Sequence, residues 1–551
     1  MDAITAGRAD LGAWLDSQPD NFFAHARALR ALIARDWDAD ARARRVPALE
    51  RFGAQAAGPL DRAVRENNLH RNLPVLDPYD GVGRSVKPVV HDRSFHEAGR
   101  WIYGSGVMAA YGEVPNPHQF ILALFFLSSH VGEGGHNCPL ACTAGAIRVL
   151  QRVAPGPLRE RMLPRLLDPD WDTNWTGAQF LTEVQGGSDV GANATRAEPA
   201  EDGAWRVRGE KWFCSNVDAD VILMTARVPG GPMGTSGLGL FLVPARDEDG
   251  RPNRYRVRRL KDKLGTRSMA SGEVDFDGAL AYAVAPVEQG FQVMMNEVIN
   301  TSRLYNAFSV AGSAHRSWLV AWSYARHRRA FGGPIVRYPL VRETLARLAA
   351  EADGALASSW LLAGIWERAD RGEASEAERA FLRIGLNINK MHTALQVHDA
   401  IQRGIEILGG NGAIESFSVL PRLLRDNVVS ENWEGTHNTL SLQVLRDCQK
   451  YRLHEGFFEV LRGVLGPERV AAEERDLARC LEAGPAVATV LIRRVCRRMA
   501  ALVQLAGLAG LDDPVLQARA RLLALHDLDG SGDVSEEYIA LVDAALPGGE
   551  A

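Results

Sequence analysis

The residues best equipped for chemistry share one short stretch, Ser430-Glu431-Asn432-Trp433-Glu434-Gly435-Thr436-His437-Asn438. The carboxylate of Glu434 is followed at once by a glycine, Gly435, and a hydroxyl, Thr436. A positioned carboxylate is the side chain that removes a weakly acidic proton. A plain surface turn between two helices is the alternative reading. Upstream lies a second polar string, Ile407-Leu408-Gly409-Gly410-Asn411-Gly412. A third, from Gln179 to Val190, contains Phe180, Leu181, Thr182, Gly187 and Ser188. Its glycines permit close backbone approach, and Glu183 and Asp189 read as turn-formers. The run Lys211-Trp212-Phe213-Cys214-Ser215-Asn216 reads as an aromatic strand. Arg328 and Phe331 stand in His327-Arg328-Arg329-Ala330-Phe331-Gly332-Gly333-Pro334-Ile335. A guanidinium suits phosphate oxygens, and it equally caps a helix end.

The elements that must hold these strings follow from hydrophobic period. Residues 1–175 read as mostly helical, with apolar positions at helical spacing over 24–35, 95–111, 120–131 and 143–153. Pro155 and Pro157 end the last of these. The stretch Glu133-Gly134-Gly135-His136-Asn137-Cys138-Pro139 reads as a loop, with His136 a solvated histidine rather than a ligand. From 176 to 285 the period alternates. Short strands around 205–208, 221–226, 238–243, 255–260 and 274–276, separated by Gly and Pro clusters, predict a small antiparallel barrel. From 286 to 450 the helical period returns, with Leu345, Leu348, Ala352, Leu356 and Trp366 on one face, as in an up-down bundle. Residues 451–551 read as a further helical extension.

Bulk properties narrow the function. The length of 551 residues implies several domains. A net charge of −5 gives no global signature for nucleic acid. No apolar run is long enough to span a membrane, and no secretory signal is visible at the N-terminus. The six cysteines, without a CxxC pair, suggest reduced thiols in the cytoplasm and no metal site. Cys138 and Cys142, four apart, read as packing residues.

Taken together, the strings resemble those of the acyl-CoA dehydrogenases, flavoproteins that desaturate acyl thioesters, and the extension resembles their AidB-like branch. The resemblance covers about residues 90–450 and implies a three-domain α+β fold: an N-terminal helical domain, a middle β-barrel and a C-terminal helical bundle. It implies that FAD takes a hydride from the β-carbon while Glu434 removes the α-proton. Ser188, Arg303 and Gly435 would face the substrate. Phe180, Leu181, Thr182, Gly187, Ser188, Phe213, Cys214, Ser215, Arg328, Phe331, Leu408, Gly409, Gly410, Thr436 and Asn438 would face FAD. Phe213 stands where the family has tryptophan, Ser215 where it has threonine, and Ser302 where some members carry the base. Pro339 and Glu406 replace glutamines that face the adenosine half of FAD. Arg303 can also be a structural helix arginine. The polar loop Lys261–Ser268 would approach the thioester's pantetheine or nucleotide part, or be a solvated basic loop. The family's cofactor bridges subunits, which implies a homo-oligomer, a tetramer by resemblance, reoxidised by an electron-transfer flavoprotein. A flavin oxidase and a DNA-associated flavoprotein are the rival functions.

In the extension, 11 arginines and no lysine stand against 16 acidic residues, a net −5 that suits a phosphate backbone poorly. Arg493, Arg494, Arg497 and Arg498 nevertheless share one helix face. Asp527-Leu528-Asp529-Gly530-Ser531-Gly532-Asp533 resembles a calcium loop, but Tyr538 occupies the position of the bidentate glutamate. A helix-linking turn is the expected outcome.

Overall fold

The computed structural model describes residues 3–548 except 85, 87, 202 and 531–533. Packing divides the chain into two units, one of residues 1–58, 118–132 and 306–551, the other of residues 59–117 and 133–305.

The second unit is built on a barrel. Its strands are β1 (Gly177–Phe180), β2 (Arg196–Pro199), β3 (Trp205–Ser215), β4 (Val221–Arg227), β5 (Leu238–Pro244), β6 (Tyr255–Leu260) and β7 (Ser271–Ala283). Strands β4, β2, β3, β7 and β5 form a closed ring, since β5 pairs back onto β4. Closure removes the exposed edges that would otherwise recruit other chains. The expectation of an antiparallel barrel needs one correction: β1 pairs with β4 in parallel, Gly177 opposite Val221, and β2 meets β4 in parallel at Arg196. Alternating inward residues fill the barrel, among them Val207, Cys214, Ile222, Met224, Phe241, Val274 and Phe276.

Beside the barrel in this unit runs the helix Gly134–Arg152, capped by the Glu133 side chain, which accepts the Gly135 amide. Helix therefore replaces the expected loop, and His136 is buried rather than solvated. Its Nε2 bonds the Phe95 carbonyl at 2.8 Å, and its ring stacks on Phe95. Burial pushes this imidazole down to about 3, so it is neutral. Pro155 and Pro157 start the next helix, Gly156–Leu166, as much as they end the previous one.

The first unit is helical. Long helices Pro339–Asp370 and Glu376–Leu408 pack together and against Pro485–Leu508 of the extension. The face predicted from Leu345, Leu348, Ala352, Leu356 and Trp366 is buried at every position. A capping box at Ser375 and Glu378 fixes the start of the second helix. Asp527 and Asp529 lie on a helical segment: Asp527 accepts from Gln396 at 3.3 Å, and Asp529 pairs with Arg469 at 2.6 Å. Two of the supposed calcium-liganding carboxylates are thus engaged by side chains, while Ser531, Gly532 and Asp533 lie outside the described residues.

Candidate active site

The site residues fall into two groups, one in each unit. In the barrel unit, β1 ends at Phe180 and the chain turns through Leu181 and Thr182 to Gly187 and Ser188. The turn is fixed by an ion pair not foreseen in the sequence. Lys211 Nζ meets Glu183 Oε1 at 2.8 Å, with both side chains almost wholly buried. Lys211 also donates to the Leu181 carbonyl at 3.1 Å, and Asn193 donates to the same oxygen at 2.7 Å. The Trp212 amide donates to the Thr182 carbonyl at 3.0 Å. Burial works to raise the Glu183 carboxyl, but the adjacent ammonium and the amides of Ala194 and Thr195 bring it below its usual range. Burial lowers Lys211, with Glu183 opposing. Glu183 is therefore a saturated structural carboxylate, consistent with the turn-forming role read from the sequence.

Alternation along β3 sorts its three site residues. Cys214 points into the barrel core, and Phe180 of β1 does the same, which leaves only their main chains for a ligand. Phe213 points outward, 56% exposed, with Lys261 Nζ at 4.8 Å from its ring centre, and Ser215 is half-buried. Lys261 also lies 3.6 Å from the Trp212 ring and pairs with Glu273 at 2.8 Å. Lys263 is tied to Met269 and Ser271, so much of the Lys261–Ser268 basic loop is internally bonded. Ser188 is exposed at the turn. Arg303 is buried, its Nη1 3.3 Å from Asn300 Oδ1, and the neighbouring Ser302 bonds Gln179 at 3.1–3.2 Å.

In the helical unit, the helix Leu420–Asn432 ends and Trp433, Glu434 and Gly435 lead to Thr436, the N-cap of His437–Tyr451. Glu434 adopts φ +57° and Gly435 φ +106°. The first is strained for any residue with a Cβ, and only glycine takes the second readily. Glu434 is half-buried. Again a buried lysine pins the turn: Lys390 Nζ donates to the Glu431 and Gly435 carbonyls at 3.0 and 3.1 Å. Trp433 Nε1 bonds Asn306 Oδ1 at 2.5 Å. The other carboxylate of the stretch, Glu431, accepts from His398 and Asn427. It is thereby engaged in holding the helix end. Burial, then Lys390 and Arg493, pushes His437 down to about 4, leaving that imidazole neutral.

Elsewhere in this unit Leu408 is buried, and Gly409 and Gly410 are exposed, with Gly409 at φ +61°. A Cβ built on either glycine meets nothing within 4 Å. Phe331 is 96% exposed at φ +50°, and Arg328 is half-buried without a carboxylate partner among the described residues. Asn438 accepts from Arg493 at 3.0 Å, and Arg498 pairs with Glu473. Two members of the arginine face are thus already engaged.

Three family descriptions match the chain: "Adaptive response protein AidB N-terminal domain" over 16–173, "Acyl-CoA dehydrogenase, middle domain" over 178–279 and "Acyl-CoA dehydrogenase, C-terminal domain" over 288–463. The putative acyl-CoA dehydrogenase AidB of Escherichia coli (strain K12) is 34% identical over 405 residues, 71% of this chain and 72% of that protein. Acyl-CoA dehydrogenase family member 11 of Caenorhabditis elegans is 33% identical over 412 residues, 72% of this chain and 66% of that protein. The crystal structure of Caenorhabditis elegans ACDH-11 in complex with C11-CoA superposes with a TM-score of 0.82 at 26% identity, covering 95% of this chain and 94% of that one. The chain belongs to the acyl-CoA dehydrogenase family, and its class is that of FAD-dependent oxidoreductases acting on CH–CH groups. Within that family it falls in the AidB-like branch.

The residues present suit FAD. An outward aromatic at Phe213 and a rigid turn at Leu181–Thr182 fit a flat ring system. An uncommitted guanidinium at Arg328, an exposed Phe331 and the open glycines 409 and 410 fit a diphosphate and its ribityl chain.

Proposed function

We propose that this protein α,β-desaturates an acyl-CoA thioester, with Glu434 removing the α-proton. FAD, when bound, supplies the acceptor for the hydride that leaves the β-carbon. Glu434 ends the step protonated, and the thioester gains a conjugated double bond. The observation that carries this reading is the Glu434 turn. Its carboxylate stands on a left-handed residue, followed by Gly435 and the helix that Thr436 caps, with the neighbouring Glu431 committed to structure. A strained backbone held by surrounding bonds is a mark of a functional position.

In this reading Ser188, Arg303 and Gly435 contact the thioester. Main-chain groups of Phe180, Leu181, Thr182, Gly187, Cys214, Leu408, Gly409 and Gly410 hold FAD, with side chains of Phe213, Ser215, Arg328, Phe331, Thr436 and Asn438. The chain keeps the four-part division at 175, 285 and 450, assembles as a homotetramer, works in the cytoplasm and passes electrons to an electron-transfer flavoprotein. A CoA thioester is favoured because the superposed nematode protein is in complex with C11-CoA. No helix among the described residues is long and apolar enough to cross a membrane.

The test is to mix the flavin-loaded protein, without oxygen, with acyl-CoA thioesters of graded length and branching. Bleaching of the yellow flavin band by at least one of them is expected, and a panel that leaves the band untouched refutes desaturation. Two further assays address the rival functions. Oxygen consumption in place of electron-transfer flavoprotein reduction identifies an oxidase. Steeply salt-dependent binding to duplex DNA identifies a nucleic-acid role, against which the engaged Arg493 and Arg498 count.

A further inference from the structure

The helical unit contains a cavity of about 300 Å³ whose lining includes none of the residues assigned above to FAD or to the base. One wall is the C-terminal half of the helix Asn300–His327, a second is residues 17–30, and a third includes Arg519 of the extension. Arg27, Arg30, Arg326 and Arg519 line it together with Trp318 and Trp322. No aspartate or glutamate lines it among the described residues.

The four guanidinium groups are not equivalent. Arg27 is neutralised by Asp513 at 2.9 Å and Arg519 by Asp353 at 2.5 Å. Arg30 donates to the Ala24 carbonyl at 3.1 Å, and Arg326 lies 5.9 Å from the centre of the Trp322 ring. Neither meets a carboxylate among the described residues, so the lining carries two uncompensated positive charges. Trp318 and Trp322 stack in parallel, with centres 6.1 Å apart and planes 9° from one another. Two parallel indoles, Trp318 with the Arg519 guanidinium 5.1 Å from its ring centre and Trp322 half-buried, therefore stand beside a doubly cationic rim.

Ligand chemistry follows from those two features. A carboxylate answers one of the two charges. A phosphate monoester, with a second pKa near about 6, is mostly dianionic at neutral pH and answers both. Guanidinium forks match its oxygens in geometry as well as charge. Indole faces accept a heterocyclic ring without regard to its identity. The volume lies at the small end of ligand cavities. We infer that this cavity binds a small phosphate monoester that carries a flat ring, a ligand of the nucleoside monophosphate class.

The experiment titrates the full-length, flavin-loaded protein with AMP, adenosine and inorganic phosphate, following heat and tryptophan fluorescence. AMP is expected to bind at least tenfold more tightly than either fragment. Arg30→Gln and Arg326→Gln should each weaken AMP about tenfold. Trp322→Leu should weaken AMP but leave phosphate unchanged. Both arginines are exposed, so the variants should fold, and an unaltered flavin spectrum checks this. Phosphate binding as tight as AMP overturns the ring-bearing ligand. The inference fails altogether if AMP does not bind at millimolar concentration, or binds equally to both arginine variants. It also fails if AMP binding is accompanied by release of flavin, which would place AMP at the cofactor site.

Discussion

Two turns carry the proposed chemistry, and they are held in similar ways for opposite ends. In the barrel unit, Lys211 is buried and bonds the Leu181 carbonyl. In the helical unit, Lys390 is buried and bonds the Glu431 and Gly435 carbonyls. Each lysine fixes a backbone bend from a distant element, 30 residues away for Lys211 and 41 and 45 for Lys390. The carboxylates differ. Glu183 is 2% exposed, ion-paired and surrounded by amides, so its charge is spent on structure. Glu434 is half-buried on a left-handed residue and stands at the tip of its turn. Glu183 and Glu431 hold shape, and Glu434 is the carboxylate proposed above for proton transfer.

Substitutions test that contrast, the largest effect coming from the barrel side. Lys211→Met leaves Glu183 buried without its cation, which typically costs about 3–5 kcal/mol. Chemical denaturation should report that loss, together with weaker flavin retention. If stability is unchanged, the ion pair does not organise the turn. Adding Glu183→Gln to Lys211→Met should recover part of the loss, because the uncompensated charge is gone. Lys390→Met strips two carbonyls of their donor, at about 1–3 kcal/mol for each unsatisfied group. Turnover should fall more than flavin content, since the turn it loosens carries Glu434. The reverse pattern would exchange the roles assigned to the two turns.

The units can also be compared by their buried histidines. His136 in the barrel unit and His315 in the helical unit are both pushed down to about 3, chiefly by burial. Unfolded, each titrates near about 6.5. Below that pH the unfolded chain binds more protons than the folded one, so the native state loses stability as pH falls toward 3. The slope is about 1.4 kcal/mol per pH unit for each ring. Urea midpoints at pH 7 and 5 check this, and equal midpoints would show that the rings remain accessible to protons. A smaller effect is expected from Gly435→Ala. At φ +106° a Cβ costs of order 1–3 kcal/mol, and activity should drop with the flavin spectrum unchanged.

Much of this was legible in the sequence. The helix face through Leu345, Leu348, Ala352 and Leu356 repeats at helical spacing, and the structure buries it. The barrel strands from Trp205 onward announce themselves by alternation, while the order in which they close the ring does not follow the chain. What stayed hidden depends on partners remote in sequence. Lys211 reads as one more charge on an aromatic strand until Glu183 folds against it. Lys390 is one cation among several in its helix, with Arg379, Arg383 and Arg403, and its acceptors are carbonyls, which have no sequence signature. His136 reads as solvated because its segment reads as a loop, but Glu133 caps that segment into a helix and Phe95 covers the ring. The parallel pairing of β1 with β4 joins strands separated by two others, which alternation alone does not specify. In the candidate site, the strings marked the turns, while the inward aim of Cys214 and Phe180 required the strand register.

The most direct measurement is anaerobic rapid mixing of flavin-loaded Glu434→Gln protein with the acyl-CoA that bleaches the unaltered protein fastest. The account predicts that the variant keeps its flavin and binds the thioester, while flavin reduction slows by about 10²–10⁴-fold, the span of a lost general base. Reduction within a few-fold of the unaltered rate would contradict it, because the α-proton would then be leaving to some other group.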